Sequence, residues 1–163
     1  MAVVVDVGCH GHPEHQGRSH DSIRYLVDRF RPALLYGFDP HPDTAVGELR
    51  LGRTLIRTYR QAAGTRDGTV AYTARGLSSF VGGGADEVPC FDLAAWLEAN
   101  TPAGCVLKLD VQGAEYALLE HLLATGADRL VLRLLVEWHK EPRWKRRRAK
   151  ILRAWRSPVE TWD

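Results

Sequence analysis

Short apolar runs alternate with amphipathic stretches along the chain. Ala2–Val7 is β-branched, too short for a helix, and ends in Asp-Val-Gly, the pattern of a buried strand. A polar stretch from Cys9 to His20 reads as loop. Ile23, Leu26, Val27 and Phe30 then recur at the spacing of one helical face. Ser19 or Asp21 suits the N-cap of that helix and Pro32 its end. Ala33–Phe38 is a second apolar run, closed by Asp39-Pro-His-Pro42, and Thr44–Leu51 reads as a short helix. Leu55–Tyr59 and Thr69–Thr73 read as strands, with a turn at Arg66-Asp67-Gly68 and a loop over Gly76–Gly84. Asp92 is placed to cap a helix over Leu93–Ala99. Cys105–Leu109 is another buried strand, closed by Asp110. Gly113 opens a helix that turns Leu118, Leu119, Leu122 and Leu123 inward and stops at Gly126. Leu130–Val136 is the last predicted strand, followed by Glu137-Trp-His139.

Strands alternating with helices predict a doubly wound α/β fold, a mostly parallel sheet with helices on both faces. In such sheets the ligand lies at the carboxyl ends of the strands, where strand order reverses. Asp6, Asp39, Asp110 and Glu137 all fall at predicted strand ends. Acids often start loops, but four in one small domain favour a site.

The length of 163 residues fits one domain with a real core. Residues 1–139 are expected to form it, with 140–163 a helical extension packed on the same domain. No apolar run approaches the roughly 20 residues that a membrane helix needs. The start, Met-Ala-Val-Val-Val-Asp, lacks the basic region of a signal peptide. Cys9, Cys90 and Cys105 are an odd, unpaired set, and a cytoplasmic location is expected. The net charge of +2 hides an asymmetry. Residues 140–163 hold nine Lys/Arg against three Asp/Glu, and the preceding residues hold thirteen against seventeen. The basic stretch from Trp144 to Arg156 would suit an anionic partner. The plainer reading, a solvated helix burying Ile151, Leu152 and Trp155, is favoured.

Asp6-Val-Gly8-Cys9-His10-Gly11 is a strand followed by a glycine turn, where backbone can approach a ligand without a β-carbon in the way. It has neither the full G-x-G-x-x-G pattern nor a phosphate-loop lysine. Asp39, followed by Pro40 at the next strand end, is placed to accept hydrogen bonds from a ribose diol. Together the two motifs indicate a nucleoside cofactor without saying which.

Leu107-Lys-Leu-Asp110-Val-Gln-Gly-Ala-Glu115 resembles the signature of the FkbM-type methyltransferases. Val5–Gly8, Phe38-Asp39-Pro40, Ala62–Gly68 with Ser78-Ser79, Val88–Leu93 and Val136–His139 resemble its other segments, in order over about residues 3–139. The resemblance implies a class I methyltransferase fold, S-adenosylmethionine as cofactor, and methyl transfer to a hydroxyl of a sugar or natural product. By position, Asp6, Gly8, Cys9, His10 and Gly11 would flank the methionine part. Asp39 and Pro40 would meet the ribose. Asp110 would face the sulfonium and the acceptor. The chain departs from the family in three ways. Gly11 follows Gly8 by three residues rather than four, and Asp39 replaces the commoner Glu. The helices that cover the acceptor site in relatives, and the last two strands of the full fold, are not expected here. An open acceptor site, or one completed in a homodimer, follows.

Transfer from a sulfonium needs alignment above all, helped by a general base for a hydroxyl acceptor. Asp110, Glu115 and His139 are the candidates; for Glu115, first-turn acid at a helix dipole is an equal alternative. Lys108, flanked by apolar residues, is expected to pair with Asp6 or Glu137 in a structural role. A rival is a zinc hydrolase, because His10-Gly-His12-Pro-Glu14-His15 has the spacing of a His-x-His-x-Asp-His metal motif. It leaves residues 107–115 unexplained, so no metal is expected. A non-catalytic nucleotide-binding module is the third reading.

Overall fold

The computed structural model describes residues 3–9, 22–73, 80–81, 86–139 and 144–162. The first half of the chain runs β1 (Val3–Val7), α1 (Ser22–Phe30), β2 (Leu34–Phe38), β3 (Gly47–Leu51), β4 (Thr54–Tyr59), β5 (Ala62–Gly64) and β6 (Gly68–Thr73). The rest runs β7 (Phe80–Val81), β8 (Asp86–Asp92), α2 (Leu93–Asn100), β9 (Cys105–Leu109), α3 (Glu115–Thr125), β10 (Val131–Val136), α4 (Lys145–Ala154) and β11 (Val159–Thr161). A short 3₁₀ turn, Ala127–Leu130, leads into β10. None of the described helices is long and apolar enough to cross a membrane.

Among the described residues the main sheet has seven strands in the order β11-β10-β9-β1-β2-β4-β3. All neighbours are parallel except β3, which lies antiparallel to β4 at one edge. A second sheet, β5-β8-β6-β7, is inserted between β4 and α2. The chain winds outward from β1 through β2 to β4, then returns to place β9 on the other side of β1. The switch in strand order therefore lies between β1 and β9.

Strand periodicity divides the core. Val4, Leu35, Ile56, Val106 and Leu135 face Leu26 and Val27 of α1. Val5, Val7, Tyr36, Phe38, Leu107, Leu109 and Leu134 face the other side, with Leu97 of α2, Leu118 and Leu122 of α3 and Ile151 of α4. These strands are buried on both faces, as parallel strands in α/β proteins are, so they read as short continuous apolar runs. Asp92 caps α2 by accepting hydrogen bonds from the amides of Ala94 and Ala95, and Gly126 ends α3 in the left-handed conformation at φ 76°.

Four expectations need correction. Thr44–Leu51 does not form a helix, since Gly47–Leu51 is strand β3. Gly52 takes a positive φ of 58° in a two-residue connection to β4, and Glu48 pairs across the hairpin with Arg57 at 2.7 Å. A tight glycine turn and a cross-strand pair outweigh the weak propensity of eight residues. The sheet does not stop at β10, because β11 continues it in parallel through Leu134↔Val159 and Val136↔Thr161. In α4 Ile151 is buried, as is Trp155 just after it, but Leu152 is exposed. Phe80–Val81 forms a short strand within the expected Gly76–Gly84 loop.

Candidate functional site

The hydrogen-bond ladders run one residue past the strands and bring four strand ends together. The amide of Gly8 donates to Phe38 O at 2.8 Å, Asp39 N to Tyr59 O at 3.1 Å, Asp110 N to Val7 O at 3.0 Å and Glu137 N to Leu109 O at 2.9 Å. Asp6, Asp39, Asp110 and Glu137 thus lie along one edge, at the carboxyl ends of β1, β2, β9 and β10.

Lys108 lies directly opposite Asp6 in the β1–β9 register. Both side chains are buried, and their charged groups approach to 3.1 Å. The ammonium also donates to Gly8 O at 2.7 Å and stands 3.6 Å from Asp110 Oδ2. Burial disfavours the ammonium, but the carboxylates of Asp6 and Asp110 outweigh it and raise the Lys108 pKa. Ser22, the first residue of α1, donates to Asp6 Oδ2 at 2.6 Å. Lys108 therefore holds the start of the glycine turn against β9, in the structural role expected for it.

Gly8 has φ 82°, and a β-carbon there would stand 1.8 Å from the carbonyl oxygen of Asp110. Cys9 beside it is buried, and burial, with the charges of Asp6 and Asp39, pushes its thiol pKa well up. It is an inert packing group rather than a nucleophile. His10, Gly11, His12, Glu14 and His15 lie outside the described residues. Asp39 is buried at the end of β2 and accepts the amide of His41 on Oδ1 at 2.8 Å, with Pro40 between them.

At the other end of the site Glu115 is fully buried. Its Oε2 accepts the amide of Gly113 at 2.8 Å, and its Oε1 accepts the amide of His139 at 3.1 Å and lies 3.3 Å from His139 Nδ1. Burial pushes this carboxyl up, but the bonds from His139 and the backbone hold it below its usual value. The same contact, set against burial of the ring, raises the pKa of His139. Glu137 has a raised pKa, from burial and then from the neighbouring Asp110 charge. Donor atoms of Asp110, Glu137 and His139 lie within 4.8 Å of one another.

Of the residues expected to act, Asp6, Gly8, Cys9, Asp39, Pro40 and Asp110 line one stretch of strand ends, and Glu115 and His139 form a coupled pair next to Asp110. Two contributors escape a reading of motifs, the Ser22 bond to Asp6 and the closeness of Glu137 to Asp110. The second has a signal: Val136 and Leu109 are register partners, so the residues that follow them emerge together.

No family model matches the chain, and no curated protein or solved structure matches it.

Proposed function

We propose that the chain is a methyltransferase that binds S-adenosylmethionine across the carboxyl ends of β1, β2 and β9. One observation carries the reading: a glycine turn and carboxylates converge at the switch in strand order, where open α/β sheets take their ligands. The resemblance of residues 107–115 to the FkbM-type signature names the cofactor. The charge of the edge supports the choice. Asp6, Asp39, Asp110 and Glu137 outnumber the buried ammonium of Lys108. Such an edge repels a pyrophosphate and suits a cationic sulfonium.

On this reading Asp39 takes the ribose hydroxyls. A carboxylate accepts several hydrogen bonds, so Asp39 can take the ribose hydroxyls beside the partners it already holds. Asp6 acts through Lys108 to fix the turn that meets the methionine part. The acceptor is a hydroxyl of a small molecule or glycan. Its oxygen bonds to the methyl carbon, the carbon–sulfur electron pair returns to sulfur, and its proton passes to Asp110. Glu115 is a positioning residue for His139, because both its oxygens are engaged.

Calorimetric titration with S-adenosylmethionine and S-adenosylhomocysteine tests the reading. Binding by the wild type is expected, with Asp39→Ala weakening it by about 1.5–3 kcal/mol. Absence of wild-type binding, or an unchanged affinity in the variant, would contradict it.

A further inference from the structure

Among the described residues, Asp110 Oδ1 and His139 Nε2 are buried atoms with no hydrogen-bond partner. Buried polar atoms are nearly always satisfied, so two such atoms in one cluster ask for a ligand. They meet Glu137, whose Oε1 lies 4.0 Å from His139 Nε2, in a group spanning no more than 4.8 Å. Asp110 and Glu137 directly follow the register partners Leu109 and Val136 of adjacent strands, and the backbone of His139 is held by Glu115.

We propose that Asp110, Glu137 and His139 bind a divalent cation of the manganese type. Two carboxylates and one imidazole are the donor set of a borderline-hard ion that keeps open positions for other ligands. Donors bonded at about 2.1 Å to one octahedral ion stand roughly 3–4 Å apart. The observed span lies within small side-chain rotations of that shell. The imidazole is oriented as well. Glu115 Oε1 lies against His139 Nδ1, which directs the lone pair of Nε2 toward the carboxylates. Glu115 is in turn fixed by the amides of Gly113 and His139. The cation would also relieve the repulsion between Asp110 and Glu137.

The role of this ion in methyl transfer rests on the function proposed above; the site itself does not. An acceptor hydroxyl entering an open position of the ion loses its proton more readily. Asp110 then serves as ligand through Oδ1 and as proton acceptor through Oδ2. The acceptor that fits is a hydroxyl able to reach the ion while its oxygen faces the methyl group.

The test is a titration of the full chain with Mn²⁺ in the absence of any cofactor, followed by calorimetry and by loss of the free-ion electron paramagnetic resonance signal. One ion per wild-type chain is expected, with affinity at least about tenfold lower in Asp110→Asn and Glu137→Gln. Glu137 is partly exposed, so its variant keeps the fold. Glu115→Gln is expected to weaken the ion by about 10- to 100-fold without touching it. No uptake by the wild type, or uptake unchanged in both ligand variants, would overturn the site. So would uptake that survives in Glu137→Gln and disappears in His12→Ala. Because the titration contains no cofactor, its failure leaves S-adenosylmethionine binding to stand or fall separately.

Discussion

The carbonyl oxygen of Asp110 fills the space that a side chain on Gly8 would need, 1.8 Å from the position of its β-carbon. The end of β9 is thus packed onto the turn after β1 with no room for any other residue. Gly8→Ala adds this clash to the strain of a positive φ. A loss of about 2–5 kcal/mol is expected in denaturant unfolding. A change within about 0.5 kcal/mol would show that the two strand ends are not held together as described.

Asp6 and Lys108 are both buried and face each other across the central strands. Removing one partner strands the other charge away from water. Lys108→Ala is expected to cost about 3–5 kcal/mol, and Asp6→Leu combined with Lys108→Met much less than the two single changes added. A double-mutant cycle read by chemical denaturation checks this. Additive costs would mean the pair is not coupled.

The Asp92 cap carries a pH dependence. Burial raises its pKa, but bonds from His121 and from the amides of Ala95 and Ala94 outweigh that and hold it below the usual carboxyl range. A carboxyl depressed in the folded state stabilises the fold above its unfolded pKa, about 3.9, and that stability is lost as pH falls through the folded value. Asp92→Asn keeps a capping side chain and removes the charge. The wild type should exceed this variant by on the order of 1 kcal/mol at neutral pH, and the gap should shrink at acid pH as Asp92 is protonated. An equal gap at both pH values would contradict the assignment.

Asp39 and Asp110 divide the labour under the proposed function. Contacts to the ribose are uniform along the reaction, so Asp39→Ala should act on cofactor affinity. Asp110→Asn keeps the shape and removes the proton acceptor. Turnover should fall about 100-fold or more, with cofactor affinity little changed. Steady-state kinetics with any accepted hydroxyl substrate checks this, and the reverse pattern would move Asp110 into the cofactor site.

The parallel core was legible because strands buried on both faces leave nearly continuous apolar runs, as at Val3–Val7 and Cys105–Leu109, each broken by a single charge. The caps at Asp92 and Gly126 were legible because their chemistry is local. β3 was not, since the alternation of Leu49 and Leu51 with Glu48 and Arg50 is too short to stand alone and its identity depends on the Gly52 turn and on β4. β11 is three residues long and is defined only by its partner β10. At the site, the strand-end acids could be read one by one. The pairing of Glu115 with His139, 24 residues apart in sequence, depends on how α3 packs beside β10.

The most direct test is the structure of the chain crystallised with saturating S-adenosylhomocysteine. The account predicts the ligand over the ends of β1, β2 and β9, its ribose hydroxyls on the Asp39 carboxylate and its sulfur turned toward Asp110. Ligand density elsewhere, or a ribose that makes no contact with Asp39, would contradict it.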